Sequence, residues 1–254
     1  MIRLLKQIKR MYLTFNIRVS NSVFRSNTYF FKILKTLFFN RILKLENDYI
    51  PNSGNIEFSE KDMNVIKSNF EASENLNKPN SFSSVLTLED TPSFYLDILN
   101  KHRSDIERYL GKQFRYEKII LTCHKNIPDP MANVELYNNT WHQDSDTYKL
   151  IKIFFLIDTV TSSDGPFTYL SLTDTKKYWG KLKNRSGENS TLDVGEQLTF
   201  TGNRGDYFIC DTSRRLHRAS NPKTKRYMFS MTLYPHYEKN NTDIQRYVYS
   251  YKQG

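Results

Sequence analysis

Two histidines and an aspartate carry the clearest chemical signal in this sequence. His142 and Asp144 stand two positions apart in the stretch Trp141-His142-Gln143-Asp144, and His217 follows more than seventy residues later. Successive side chains of a β-strand point to opposite faces, so residues i and i+2 share one. His142 and Asp144 are therefore expected to project together from one strand end. Adding His217 gives two imidazoles and one carboxylate, the ligand set of a facial triad. That set occupies one face of Fe(II) and leaves positions open for a co-substrate and O2. His-x-Asp arises often by chance, so the surroundings of each piece have to raise the odds.

Arg226 is the fourth candidate. A turn centred on Asn221-Pro222 would place His217 roughly opposite Arg226, each about five positions from the centre, and directly opposed residues share a face. A guanidinium is a planar fork that grips carboxylates with two hydrogen bonds. A metal site with an inward arginine one strand away suits a co-substrate with two carboxyl ends. 2-Oxoglutarate is such a molecule, one end chelating iron and the other meeting the arginine.

The elements that must position these residues lie mostly after Tyr116. Residues 118–123 are β-rich, and 133–138 lead into the Trp141–Asp144 stretch. Residues 150–157 (LIKIFFLI) form a long apolar run suited to a central strand. Gly165-Pro166 is a turn before a strand over 167–172. Residues 173–195 are polar, with Lys176, Lys177, Lys181 and Lys183, and their length suggests a functional loop or lid; a solvated loop is the plainer reading. Short strands over 197–200, 206–210, 214–219 and 226–234 complete a pattern typical of a sandwich or barrel, including the jelly roll. Upstream, residues 47–56 (NDYIPNSGNI) have the composition of a linker. A helix is expected from Glu60 to Asn69, loop over 71–84, and helix from Pro92 to Leu110 with Phe94, Ile98, Ile106 and Leu110 on its apolar face. No internal repeat is visible.

Five blocks give the sequence a family likeness. WHQDSD at 141–146, KIFFLIDTV at 152–160, DGPFTYLSL at 164–172, GDYFICDTSRRLHRAS at 205–220 and RYMFSMTLYP at 226–235 resemble the phytanoyl-CoA dioxygenase-like branch of the Fe(II)/2-oxoglutarate oxygenases. The resemblance covers roughly residues 115–236. It implies a mainly β chain with flanking helices around a double-stranded β-helix (jelly-roll, cupin-like) core. It also implies Fe(II) on His142, Asp144 and His217, Arg226 on the far carboxylate of 2-oxoglutarate, and O2 as the second co-substrate. The chain departs from the family at Ser171-Leu172-Thr173-Asp174, where a Pro-Gly-Ser-His block is common, and at Ala219, where some members carry serine. The expected reaction converts 2-oxoglutarate and O2 to succinate and CO2 while hydroxylating an unactivated C–H bond of a small organic or lipid-like substrate. The rivals are a non-catalytic jelly-roll binding protein and a cupin-type metalloenzyme that does not use 2-oxoglutarate.

The bulk composition limits the remaining choices. The chain has 254 residues and a formal net charge of +10, placed unevenly. Ten basic side chains lie between Arg3 and Lys44, and the first acidic one is Glu46, which leaves 27 basic residues against 27 acidic ones in the body. A neutral body argues against a nucleic-acid groove, which needs its own basic surface. Cys123 and Cys210 are too few for a disulfide framework, so a reducing, cytoplasmic setting is the default. No uncharged apolar run approaches the ~18–20 residues of a membrane-spanning helix, and charge interrupts the N-terminal apolar stretches too often for a secretory signal. Three regions follow: a basic amphipathic helical arm over 1–46, a helical and loop region over 47–114 packing on the core, and the jelly-roll oxygenase core over 115–254. The arm reads as helices packed on the body, as a peripheral anchor on an anionic membrane through residues 1–45, or as a mitochondrial presequence. His102, His124 and His236 lack ligand spacing and are read as ordinary residues, Cys210 as core, and Trp141 as packing.

Overall fold

The computed structural model describes residues 49, 51–57, parts of 64–71, 82–88, 93–111, 114–116, 119–129, 136, 138–144, 150–178, 192–235 and the backbone of 247–248. The arm over 1–46, most of the polar segment 173–195 and His236 lie outside these residues.

Eleven strands are seen among the described residues: β1 (Asn52–Asn55), β2 (Ser83–Thr87), β3 (Phe114–Tyr116), β4 (Ile120–Lys125), β5 (Ile151–Leu156), β6 (Phe167–Tyr169), β7 (Leu198–Phe200), β8 (Asp206–Cys210), β9 (His217–Ala219), β10 (Lys225–Pro235) and β11 (Tyr247–Val248). The large sheet runs β1-β8-β5-β10. Beyond β10 it continues through β4 to β2 along one half of that strand and through β3 to β11 along the other. The small sheet runs β7-β6-β9 and is extended by a two-way bridge between His217 and His142. In chain order β4, the His142 bridge, β5, β6, β7, β8, β9 and β10 make eight segments. The first, eighth, third and sixth are neighbours in one sheet, and the second, seventh, fourth and fifth in the other. That interleaving is a double-stranded β-helix, the jelly-roll architecture expected from the short strands.

Period-two alternation divides the large sheet's side chains into two cores. Tyr227, Phe229, Met231 and Leu233 of β10 face outward with Ile151, Ile153 and Phe155 of β5. Helices α1 (Ser93–Lys101) and α2 (Arg103–Leu110) cover this face, and Phe94 stacks on Phe155 with ring centroids 4.5 Å apart. Phe94, Ile98, Ile106 and Leu110 are all buried, the apolar face expected from their spacing. Each such buried side chain contributes about 1.5–3 kcal/mol relative to exposure. Met228, Phe154, Leu156, Phe208 and Cys210 point the other way, between the sheets, where they meet Phe167 and Phe200. Lys152 and Arg226 have the same parity as Phe154 and Met228, so both enter the space between the sheets.

Three local expectations are corrected. The presumed linker contains β1, which pairs antiparallel with β8. Its Gly54 lies across from Tyr207, and a Cβ there would fall 2.4 Å from the tyrosine hydroxyl oxygen. The glycine marks a close approach, and an edge strand tolerates the neighbouring proline. The strand expected over 167–172 stops at Tyr169, and helix α3 (Leu172–Tyr178) begins in what read as loop. Ser171 caps that helix: its Oγ accepts from the Asp174 backbone N–H at 3.0 Å and donates to Asp174 Oδ2 at 2.7 Å. The third correction concerns 220–224. This segment crosses between sheets and does not close a hairpin, since β9 pairs with β6 while β10 pairs with β4 and β5. Asn221 is tied by both ends of its amide to the Ile127 backbone at 2.7 and 2.8 Å, and Lys223 N donates to Ser163 O at 3.0 Å. Gly165, at φ 64°, sits against the same crossing, where a Cβ would meet Ser220 O at 2.3 Å.

Candidate metal centre

His142, Asp144 and His217 converge at one end of the space between the sheets. His142 and His217 exchange backbone hydrogen bonds at 3.0 and 2.9 Å, which sets their rings side by side with centroids 4.3 Å apart. His142 is a single bridge residue and not part of a longer strand. Asp144 reaches the same point because its N–H donates to Thr212 O at 3.0 Å, pinning it to the loop between β8 and β9. All three side chains are buried, and one ligand atom from each lies within 4.8 Å of the others.

Hydrogen bonds fix the histidine tautomers. His142 Nδ1 lies 2.8 Å from Thr140 O, and His217 Nδ1 lies 2.9 Å from Arg215 O. A carbonyl oxygen only accepts, so each Nδ1 carries the proton and each Nε2 keeps its lone pair. Both lone pairs look toward Asp144: His142 Nε2 is 3.9 Å from Oδ1 and His217 Nε2 is 3.7 Å from Oδ2. Orientation of a ligating imidazole through its other nitrogen is the arrangement metal sites use.

Asp144 has a cation directly beside it. Lys152 Nζ lies 2.8 Å from Oδ2, and Thr212 Oγ1 donates to the same oxygen at 2.5 Å. Burial alone would push this carboxyl up, but Lys152, His217 and His142 together hold it well below the usual carboxylate range. The donor set, two imidazole nitrogens and one ionised oxygen, fits a divalent first-row metal. Ligands at right angles on bonds of about 2.1 Å stand about 3 Å apart, so ligand atoms up to 4.8 Å apart need to close by under about 2 Å.

The β8–β9 loop that supplies Thr212 and the Arg215 carbonyl has its own anchor. Asp211 is fully buried. Its Oδ1 accepts from Ser213 N and Ser213 Oγ at 2.7 Å each and from Arg214 N at 3.1 Å, while Oδ2 accepts from the Tyr109 hydroxyl of α2. Burial pushes this carboxyl up, opposed by those donors and by Arg214. Helix α3 adds a second hold, since Thr175 Oγ1 accepts from Leu216 N at 3.0 Å.

Arg226 enters the same interior, though not across a hairpin from His217. Its Cα partner is His124 of β4, and Arg226 Nη2 lies 2.5 Å from His124 Nδ1. Burial and then the adjacent guanidinium push His124 well below its ordinary value. The neutral imidazole therefore accepts from the arginine, and both side chains are buried. Ala219, where some members of the branch carry serine, is also buried and shares the face of His217 and Phe167 by alternation and cross-strand pairing.

Lys152 is not among the candidates the sequence offers, and His124 reads there as an ordinary residue. Lys152 had a signal, being a lysine inside a run that otherwise reads as a strand buried on both faces, where lysines are rarely placed without a partner. His124 had none, because its role depends on a strand pairing of high sequence separation. His102 is an ordinary structural residue: its Nε2 lies 2.8 Å from the Tyr207 hydroxyl on the outer side of the sheet. Trp141 is fully buried with Leu170, Val194 and Leu216, with the Arg218 guanidinium 4.7 Å from its ring centre.

No protein-family model matches the chain, and no curated protein matches it. Several solved structures resemble it. HygX from Streptomyces hygroscopicus, solved with nickel and 2-oxoglutarate bound, is 11% identical over 78% of this chain and 86% of its own, with a TM-score of 0.49. The epimerase SnoN, in complex with Fe3+, alpha ketoglutarate and nogalamycin RO, is 13% identical over 78% and 81%, with a TM-score of 0.45. ThoJ, a non-heme monooxygenase in its apo form, is 12% identical over 76% of each chain, again with a TM-score of 0.45. At such identities and TM-scores the likeness says nothing of what this chain does.

Proposed function

We propose that this chain is a non-haem Fe(II)- and 2-oxoglutarate-dependent dioxygenase of the phytanoyl-CoA dioxygenase-like branch, hydroxylating an unactivated C–H bond of a small organic or lipid-like substrate. One observation supports it above the others: two buried imidazoles with their Nδ1 protons committed to carbonyl oxygens face one buried, ionised carboxylate inside a jelly roll. When bound, Fe(II) would supply the O2 chemistry that couples decarboxylation of 2-oxoglutarate to hydroxylation. His142, Asp144 and His217 would hold it. Arg226 would take the far carboxylate, with its guanidinium oriented by neutral His124. Phe154, Phe167, Phe208 and Met228 keep the surrounding interior apolar. Asp144 argues against a halogenase, whose metal needs the position a carboxylate fills.

The test is to incubate iron-loaded full-length protein with 2-oxoglutarate under O2 and measure succinate, then to screen small organic acids, thioesters and lipids for stimulation. Succinate dependent on both iron and 2-oxoglutarate supports the reading. Tight iron binding with no succinate under any condition would instead favour a binding protein or a cupin-type metalloenzyme. We also propose a peripheral membrane role for the basic arm over 1–45, which predicts sedimentation with anionic liposomes at low salt and release at high salt. A chain beginning near Asn47 that binds the liposomes equally well would reject it.

A further inference from the structure

Lys152 occupies an unusual position. It sits in β5, a central strand whose other residues from Ile151 to Leu156 are all apolar. Its cross-strand partners on the interior face are Cys210 and Thr232. An ion pair in such a place is weak evidence for stability, because desolvation opposes the Coulomb gain. What distinguishes this one is its partner. The ammonium sits 2.8 Å from Oδ2 of the carboxylate that faces both histidine Nε2 atoms, and Thr212 Oγ1 already donates to that oxygen. Lys152 is therefore not needed to give Asp144 a hydrogen-bonding partner. What it adds is charge.

We propose that Lys152 sets the charge of the metal centre, weakening cation binding and strengthening the binding of an anionic co-substrate to the loaded site. This rests on the metal-binding reading above. A divalent cation held by two neutral imidazoles and one carboxylate leaves one net positive charge. With the ammonium beside the carboxylate the centre carries two. The side chain is 24% exposed, so solvent screens this charge only in part. The cost falls on the metal, which must approach a carboxylate already neutralised. The gain falls on the next ligand, a dicarboxylate that meets a centre twice as positive. Between unit charges a few ångströms apart at a partly buried site, each effect amounts to about tenfold or more in affinity.

The experiment uses the full-length chain freed of metal by a chelator and titrated with Ni(II), which binds without turnover. Lys152→Met keeps the bulk and removes the charge. Lys152→Gln also keeps a donor for Asp144, and Lys152→Arg keeps the charge. Circular dichroism and thermal melts establish that each is folded. Met and Gln should bind Ni(II) about tenfold or more tightly than the native chain, while Arg stays close to native. Once loaded with Ni(II), Met and Gln should bind 2-oxoglutarate about tenfold or more weakly. Unchanged or weaker Ni(II) binding by both neutral variants would overturn the proposal, since Lys152 would then only hold Asp144 in place. Unchanged 2-oxoglutarate binding would overturn its second half. A His217→Ala control separates the two layers. If native Ni(II) binding disappears in that control, the metal site stands whatever Lys152 does. If no variant binds Ni(II), the site and the inference fall together.

Discussion

Asp144 and Asp211 are both buried, both acidic and both held by the loop between β8 and β9, yet they are opposite in character. Asp144 faces an ammonium and two imidazoles and is held well below the usual carboxylate range. Asp211 faces a phenol, a serine, two backbone N–H groups and the charge of Arg214, and burial still prevails to push it up. A buried carboxylate paired directly with an ammonium keeps its charge available to a metal. One held by a phenol, a hydroxyl and backbone N–H groups ties elements together, here α2 to the loop that presents Thr212 and the Arg215 carbonyl. Burial and residue type do not distinguish a ligand from a strut. The groups bonded directly to the carboxyl oxygens do.

The largest expected effects break this contrast from the ligand side. His142→Ala, Asp144→Ala and His217→Ala should each abolish iron-dependent succinate formation and strip the protein of bound metal, with circular dichroism unchanged because the two cores do not pass through the triad. Normal turnover in any of them would remove that residue from the ligand set. Asp211→Ala should do the reverse. Leaving the Tyr109 hydroxyl and the Ser213 side chain buried without their acceptor costs about 2–4 kcal/mol. The melting temperature should fall clearly while metal is still bound below it. A variant that loses metal and keeps its stability would exchange the two roles.

Arg226→Ala comes next in size. Losing a charge-assisted contact to a dicarboxylate in a dry interior costs about 2–4 kcal/mol, read as a higher KM for 2-oxoglutarate. Lysine at 226 should restore part of it, being a point charge without the fork. His124→Phe should raise KM less than Arg226→Ala, because it removes the group that orients the guanidinium and not the guanidinium itself. Equal 2-oxoglutarate dependence in Arg226→Ala and the native chain would move the far carboxylate to another cation.

These residues also show how much was legible in advance. The convergence of His142, Asp144 and His217 could be read because its signal lies in residue types, and His-x-Asp next to a β-rich run survives errors of register. Arg226 was placed inward for the wrong reason. A hairpin at Asn221-Pro222 would make chain neighbours sheet neighbours, whereas β9 and β10 sit in different sheets and alternation along β10 alone turns Arg226 inward. The linker reading of 47–56 failed because Gly54 serves the close packing of Tyr207, not chain flexibility. The helix at 172 was missed although Ser171 and Asp174 spell its cap. His124 could not have been found, since only the pairing of β4 with β10 gives it a partner.

The smallest effect, and the most direct measure of the two aspartates, is the acid limb of stability in the metal-free protein. Asp144 has a folded value below the ordinary carboxylate value of about 3.9, so its contribution to stability is full above that value and is lost as pH falls beneath it. Asp211 has a folded value above the ordinary one. Its ionisation works against folding, and that penalty is relieved as pH falls through its raised value toward about 3.9. The two windows adjoin without overlapping. Melting temperatures of the chelated native chain, Asp144→Asn and Asp211→Asn should therefore diverge on opposite sides of about pH 4. Relative to native, Asp144→Asn should lose less stability below that point, and Asp211→Asn should fail to show the gain above it. If the two difference curves coincide, the ammonium beside Asp144 and the donors around Asp211 do not separate these carboxylates, and the ionised character assigned to Asp144 at the metal centre goes with them.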